Sequence, residues 1–142
     1  MPRASRRRGD AARRHADTIR FVLFEARPAG LTFQQLVRST SLTSSQVRSG
    51  LAALRDQISE KGWPPLIWTR ENGYQLGAER SALEKYERGV IKEYLTVMRR
   101  FASATVGPHA AAHPGDKWAR YLVAQLNSIE STLDLIDSTS RT

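Results

Sequence analysis

Small and basic side chains recur between residues 44 and 55 at the spacing of one helix face. Ser45, Ser49 and Ala52 are three or four residues apart, and Arg48 lies beside them. Side chains this small let a helix enter a DNA major groove, where an arginine can donate two hydrogen bonds to a guanine edge or bind a phosphate. The residues expected to contact DNA from this helix are Ser44, Ser45, Arg48, Ser49, Ala52 and Arg55. The alternative is an ordinary solvated face, on which the same residue types are common.

Two helix-start signals define the position of this helix. In Thr32-Phe33-Gln34-Gln35 and in Thr43-Ser44-Ser45-Gln46, the threonine hydroxyl can accept from the backbone N–H three residues on, while the glutamine reaches back. Two helix starts this close leave room for one short helix and a tight turn, which is the spacing of a helix-turn-helix. The second helix is predicted to run from Thr43 toward Glu60 and to end at Gly62. Its predicted buried stripe is Val47, Leu51, Leu54 and Ile58.

A β-hairpin is predicted after the second helix, because Asn72-Gly73 separates two short runs of β-forming residues. A two-residue turn would pair Thr69 with Leu76 and Arg70 with Gln75. Ile67, Tyr74 and Leu76 would then share one face toward the core, with Arg70 and Gln75 outward. In this hairpin, Arg70 and Asn72 are the predicted contacts to phosphate or to the minor groove. A plain surface hairpin is the alternative.

The amino-terminal 20 residues hold seven arginines and two aspartates, within a chain of net charge +8. Residues 1–14 are predicted to form a flexible basic arm, followed by a helix from Ala16 to Ala26. The arm residues expected to contact DNA are Arg6, Arg7, Arg8, Arg13 and Arg14. The alternative for such a tail is that it only keeps the protein soluble.

The remainder of the chain predicts a helical hairpin over residues 81–138. Ser81-Ala82-Leu83-Glu84 resembles a third capping box, opening a long helix to about Thr105 that is broken by Val106-Gly107-Pro108. After a loop over residues 109–115, Asp116 is predicted to cap the last helix. These two helices carry more apolar surface than one pairing can bury, so we expect a second copy to pack on them. The expected dimerisation residues are Val90, Tyr94, Val97, Phe101, Leu122, Leu126, Ile129, Leu133 and Ile136.

Composition excludes several classes of function. The chain has no cysteine, which rules out thiolate metal sites, thiol nucleophiles and disulfides. It has no apolar run of membrane-spanning length and no apolar stretch typical of a signal peptide, so a cytoplasmic location is expected. His109 and His113 are four residues apart, but the segment does not offer a convincing further ligand, so neither a metal nor another cofactor is expected. Since no spacing suggests a catalytic set, we do not expect an enzyme.

The chain also resembles a known family. The segments that carry the resemblance are RHAD at 14–17, ARPAGLT at 26–32, QVRSGL at 46–51, WTRENGYQL at 68–76, YER at 86–88 and PGDKW at 114–118. They are similar to segments of the winged helix-turn-helix regulators, and more closely to the small winged-helix proteins called RacP, which are associated with actinobacterial chromosomes, plasmids and phage-like elements. The resemblance covers almost the whole chain and implies DNA binding, but it does not specify an operator or a regulated gene.

The sequence therefore predicts a mainly α-helical fold with a small β-hairpin wing. The expected organisation is a winged helix-turn-helix over residues 16–77, followed by the two-helix hairpin. The predicted function is sequence-specific binding of double-stranded DNA by a dimeric transcriptional regulator. Two alternatives remain open: a winged-helix module that docks on other proteins, and an accessory protein of replication or partition that binds DNA without sequence preference. Whether a small-molecule effector exists is unknown.

Overall fold

The computed structural model describes residues 9–139, which are mainly helical and include one two-stranded antiparallel hairpin. Its elements are α1 (Asp10–Ala26), α2 (Phe33–Thr40), α3 (Ser44–Lys61), β1 (Leu66–Thr69), β2 (Gly73–Leu76), α4 (Arg80–Phe101), a π-helical segment (Ala102–Val106), α5 (Gly107–Ala112) and α6 (Lys117–Thr139). The chain divides into two compact units, Met1–Leu83 and Glu84–Thr142, and each is described by itself. No helix in the described range is long and apolar enough to cross a membrane.

Helix α1 begins at Asp10, six residues before the predicted start. The prediction of a flexible arm is therefore wrong for residues 10–14, which are helical. Alanine is the best helix former, an aspartate in the first turn interacts favourably with the helix dipole, and Ala12 and Ala16 are buried. The first turns of α1 are therefore held by buried alanines, and the apolar periodicity of large side chains does not reveal them. Arg6, Arg7 and Arg8 lie outside the described residues.

Both predicted capping boxes are present. The Thr32 hydroxyl accepts from Gln35 N at 3.1 Å while Thr32 N donates to Gln35 Oε1 at 2.8 Å. The same pair of bonds joins Thr43 and Gln46, at 3.2 and 2.9 Å. Each box satisfies two backbone N–H groups near a helix start, so the first residues of α2 and α3 are determined locally.

The turn between α2 and α3 contains no glycine, yet Ser41 adopts the left-handed conformation, with φ of 59°. A non-glycine residue there costs of order 1 kcal/mol. Thr40 supports the turn, because its hydroxyl donates to Leu36 O at 2.6 Å and accepts from Leu42 N at 3.3 Å. Leu42 packs against the core, as predicted.

The core of the first unit lies between α1, α2 and α3. Ile19 and Leu23 of α1 are buried with Leu36 of α2 and with the predicted stripe of α3, of which only Ile58 is partly exposed. Helices α1 and α3 approach closely at Gly50, where an added Cβ would lie 2.6 Å from Ile19 Cδ1 and 3.0 Å from the His15 carbonyl carbon. A glycine is therefore needed at this crossing, where His15 of α1 packs against Gly50.

The hairpin forms, but in a register different from the predicted one. Thr69 pairs with Gly73, and Trp68 pairs with Tyr74. The two-residue turn fails because it requires positive φ at both central residues, whereas Gly73 alone has it, at 69°. An odd shift in register moves residues to the opposite face. Ile67 therefore shares its face with Gln75 rather than with Tyr74 and Leu76, although it is still buried.

A bridge joins the hairpin to the segment before α2. Leu31 N donates to Tyr74 O at 2.9 Å, and Tyr74 N donates to Leu31 O at 2.7 Å. Gln75 Nε2 also donates to Pro28 O at 3.2 Å, which explains why Gln75 is half-buried instead of pointing outward. Leu31 thus forms a single β-bridge rather than a strand.

In the second unit, Pro108 does not break the helix where predicted. The backbone passes from α4 through the π-helical segment into α5, and Gly107 N donates to Ala102 O, five residues back. The wider π turn accommodates the proline, which sits in the first turn of α5, where its missing N–H is not needed. Helix α4 also begins at Arg80, so Ser81 lies inside its first turn rather than capping it.

Asp116 caps α6 as predicted. Its Oδ1 accepts from Trp118 N at 2.9 Å and from Ala119 N at 3.4 Å. Helix α6 then runs antiparallel to α4, because residues near the start of α4 lie beside residues near the end of α6. The buried apolar residues of this unit are Leu95, Val106, Ala119 and Leu126.

Candidate nucleic-acid interface

Helix α3 presents a continuous exposed surface that begins at its first residue. Ser44, Ser45, Arg48 and Arg55 are all exposed, as predicted for a contact surface. Ser49 is half-buried, because the next residue is Gly50, where α1 crosses α3. Ala52 is half-buried as well. The exposed surface of α3 is therefore formed by two serines and two arginines, and the neighbouring Ser49 and Ala52 are less exposed.

Arg48 and Arg55 lie on the same side of α3, because seven residues are close to two helical turns. With Phe33, Leu51 and Tyr74 they line a shallow hollow of about 220 Å³. The guanidinium carbon of Arg48 lies 5.3 Å from the centre of the Phe33 ring, a cation–π distance. The ring restricts where the Arg48 head group can lie, while the side chain stays exposed. An anion entering the hollow would meet two guanidinium groups over an apolar base.

Sequence reasoning missed Phe33 and Tyr74, because the predicted hairpin places Tyr74 toward the core and Phe33 belongs to the apolar pattern of α2. Each is only partly buried, and each packs on the core with one side while lining the hollow. The signal that could have identified Phe33 is its position. As the first residue of a helix, it extends past the end of the packed face.

The hairpin loop holds Arg70 and Asn72, and both are exposed, as predicted. Asn72 N donates to the Thr69 hydroxyl at 3.1 Å, which closes the loop. Gly30 lies directly against the Asn72 carbonyl oxygen and has no room for a side chain. The hairpin loop therefore packs against the backbone at Gly30.

The two tryptophans near the hairpin differ. The sequence favours packing over base stacking for both, and Trp63 does pack: the guanidinium carbon of Arg20 lies 4.2 Å from its ring centre. Trp68 is 49% exposed on β1, although packing was predicted for it too. Trp68 is exposed because it lies on the face of β1 opposite the buried Ile67, where it pairs with Tyr74.

The basic residues of the predicted arm divide into two groups. Arg13 and Arg14 are exposed on the first turns of α1. They are therefore carried by a helix, and their positions relative to α3 are set by the packing of α1 on α3. The remaining arm arginines lie outside the described residues, as stated above.

The predicted dimerisation residues fall into three classes. Leu126 is only 5% exposed, so its assignment to an intermolecular contact is wrong: it packs inside its own unit. Val90, Leu122 and Leu133 are half-buried. The exposed members are Tyr94, Val97, Phe101, Ile129 and Ile136. Three large exposed residues of α6 were not predicted: Trp118, Tyr121 and Leu135.

The two histidines of the second unit lie near Asp116. His109 Nε2 is 3.3 Å from Asp116 Oδ2, and the two imidazole rings meet edge to face at 5.5 Å. Over residues 9–139 no cluster of three or more His, Asp or Glu side chains is placed to hold a metal ion. His109 supports the residue that caps α6.

Comparison of the chain with protein-family models, with curated proteins and with solved structures finds no match.

Proposed function

We propose that the first unit is a winged helix-turn-helix that binds double-stranded DNA, and that the protein acts as a dimeric, sequence-specific transcriptional regulator. The observation that carries the proposal is the pair Arg48 and Arg55, exposed on one side of α3 above the hollow. The order of α2, tight turn, α3 and hairpin supports it, because winged helices use the second helix to read DNA and the hairpin to contact the backbone.

Arg48 and Arg55 have different roles in this proposal. In helix-turn-helix proteins, the amino-terminal part of the recognition helix meets the base edges. Arg48 lies in the second turn of α3, beside the exposed Ser45, so it reads a base edge, preferably guanine. Arg55 lies two turns further on and binds a phosphate. The hollow between them accepts the DNA backbone where it leaves the groove.

The hairpin and α1 supply the sequence-independent part of binding. Arg70 and Asn72 in the supported loop contact phosphate or the minor groove, and Arg13 and Arg14 add positive charge. Arg6, Arg7 and Arg8 extend that charge along the chain. The affinity should accordingly fall as salt rises.

The decisive experiment is fluorescence anisotropy on genomic fragments that the protein selects and on random duplexes, over a salt series. Arg48→Ala should weaken binding to the selected site about ten- to a hundredfold and remove the preference over random DNA. Arg55→Ala should weaken binding to both duplexes and reduce the salt slope by about one. Arg120→Ala is the matched control, because Arg120 is exposed on α6 in the other unit.

Each outcome has a defined meaning. If Arg48→Ala binds the selected site as tightly as the wild type, α3 is not the reading helix. Salt-dependent binding without sequence preference would favour the accessory role in replication or partition. Absence of binding at low salt would reject DNA binding and favour a docking module, for which the exposed Phe21 and Phe24 on α1 would be the first surface to test.

A further inference from the structure

Each long helix of the second unit carries two apolar stripes, and only one of them is buried. Leu95 of α4 and Leu126 of α6 are buried, and we infer that they mark the stripes by which the two helices face each other, because an ion pair and a shared groove place α4 beside α6. A second stripe on each helix is exposed: Tyr94 and Phe101 on α4, and a longer row on α6. We call these exposed residues the apolar face, consisting of Tyr94, Phe101, Trp118, Tyr121, Ile129 and Ile136.

The apolar face lies on one side of the helix pair. At about 100° per residue, Tyr94 and Phe101 are rotated by roughly 100–120° from Leu95, counter-clockwise when viewed from the start of α4. Trp118, Ile129 and Ile136 are rotated from Leu126 in the same sense, by roughly 60–80°. Because the helices are antiparallel, equal senses of rotation bring both stripes to the same side.

An ion pair supports this geometry independently. Arg99 and Asp134 are rotated in the opposite sense from Leu95 and Leu126, so they should meet on the other side of the helix pair. They do, with Arg99 Nη2 3.3 Å from Asp134 Oδ1. The helix pair thus has one side bridged by charge and one side that is apolar and open.

The size of the apolar face matches half of a stable dimer interface. Its six side chains are 43–60% exposed. Since a buried aromatic residue covers 150–250 Å², they present on the order of 550 Å² of apolar surface. A standard interface covers about 800 Å² per partner, of which roughly 65% is apolar in homodimers. Monomeric proteins rarely leave an apolar patch of this size uncovered.

The composition of the apolar face favours a second copy as the partner. Between Trp118 and Ile136, the positions on the same stripe of α6 are filled by Gln125 and Thr132, which are uncharged. The charged residues that border the face near Ile136 are Glu84, Glu87 and Arg88 of α4. A mainly uncharged surface can contact a copy of itself about a two-fold axis, because an isologous interface brings the same patch from both subunits together.

We propose that the apolar face is the homodimer interface, in which two copies of the helix pair form a four-helix arrangement. This inference rests on the dimer in the proposed function and assigns it a surface. Among the predicted contact residues it keeps Tyr94, Phe101, Ile129 and Ile136, and it adds Trp118 and Tyr121. Its test uses no DNA, so failure of the interface and failure of DNA binding can be distinguished.

The test is the mass of the full chain in solution by size-exclusion chromatography with light scattering. The wild type should elute at twice the chain mass of 15.9 kDa. The double variant Tyr94→Glu with Ile129→Glu should elute as a monomer, because a dimer would bury four charges without partners. Phe21→Glu is the matched control: Phe21 is 65% exposed on α1, and this variant should remain a dimer.

Two results would overturn the proposal: a monomeric wild type at the highest concentration tested, or a double variant that stays dimeric. Circular dichroism checks that each variant is folded. If the double variant loses helix, Tyr94→Ser replaces it, and its dimer should dissociate at a concentration about tenfold higher than the wild type. An unchanged dissociation constant for Tyr94→Ser would also overturn the proposal.

Discussion

The two units of this chain bury their apolar residues to different extents. The first unit closes a core around Ile19, Leu36 and Leu54, although Phe21 and Phe24 of α1 stay exposed, and its α3 exposes arginine and serine. The second unit buries Leu95 and Leu126 but leaves three aromatic residues of α6 and α4 more than half exposed: Tyr94, Trp118 and Tyr121. A unit that completes its own core can use its surface for charged contacts. A helix pair that cannot do so gains stability from a second layer.

The largest expected effect comes from a cavity in the closed core. Leu54 is fully buried, so Leu54→Ala should lower the free energy of unfolding by about 2–5 kcal/mol. Leu135→Ala in the second unit should change it by less than about 0.5 kcal/mol, because Leu135 is 68% exposed. Urea denaturation followed by circular dichroism measures both. Similar losses in the two variants would contradict the contrast between the units.

Two glycine substitutions test the same difference in packing between the two units. Gly50→Ala should destabilise the protein by about 1–2 kcal/mol, because the new Cβ meets Ile19 and His15 and this overpacking outweighs the gain in helix propensity. Gly89→Ala in α4 should stabilise it by roughly 0.5–1 kcal/mol, because nothing lies within 4 Å of the added Cβ. Thermal unfolding of both variants provides the measurement. A stabilising Gly50→Ala would mean that α1 and α3 are not closely packed.

The smallest expected effect concerns helix caps. Thr43→Ala removes the hydroxyl that accepts from Gln46 N and should cost about 1 kcal/mol. Ser81→Ala should be neutral or slightly stabilising, because Ser81 lies inside the first turn of α4 and alanine is the better helix former. Urea midpoints under identical conditions compare the two. An equal loss of stability in both variants would indicate that Ser81 caps α4.

Sequence reasoning succeeded where the structure depends on neighbouring residues. The capping boxes at Thr32 and Thr43, the end of α3 at Gly62 and the cap at Asp116 are all confirmed. It failed where contacts between residues distant in sequence determine the structure. The hairpin register depends on bonds from Tyr74 and Gln75 to the segment before α2, which no local turn signal contains.

The candidate site divides in the same way. The exposure of Arg48, Arg55, Arg70 and Asn72 follows from helix periodicity and turn chemistry, and the sequence predicted it. The roles of Phe33 and Tyr74 could not be predicted, because each lines the hollow only after α2, α3 and β2 are brought together. Leu126 has the same apolar pattern as Ile129, and only the tertiary packing of α6 separates the buried residue from the exposed one.

The sequence by itself determined the starts of α2, α3 and α6, the buried stripe of α3 and the excess of apolar surface in the carboxy-terminal half, because hydrogen bonds and periodicity within a few residues specify them. Tertiary structure alone decided the hairpin register, the continuous path through Pro108 and the side of the helix pair that remains open. These features depend on which surfaces meet, and residues distant in sequence determine that through packing. The close approach at Gly50 is the clearest case: its reason is a contact with α1, more than thirty residues away.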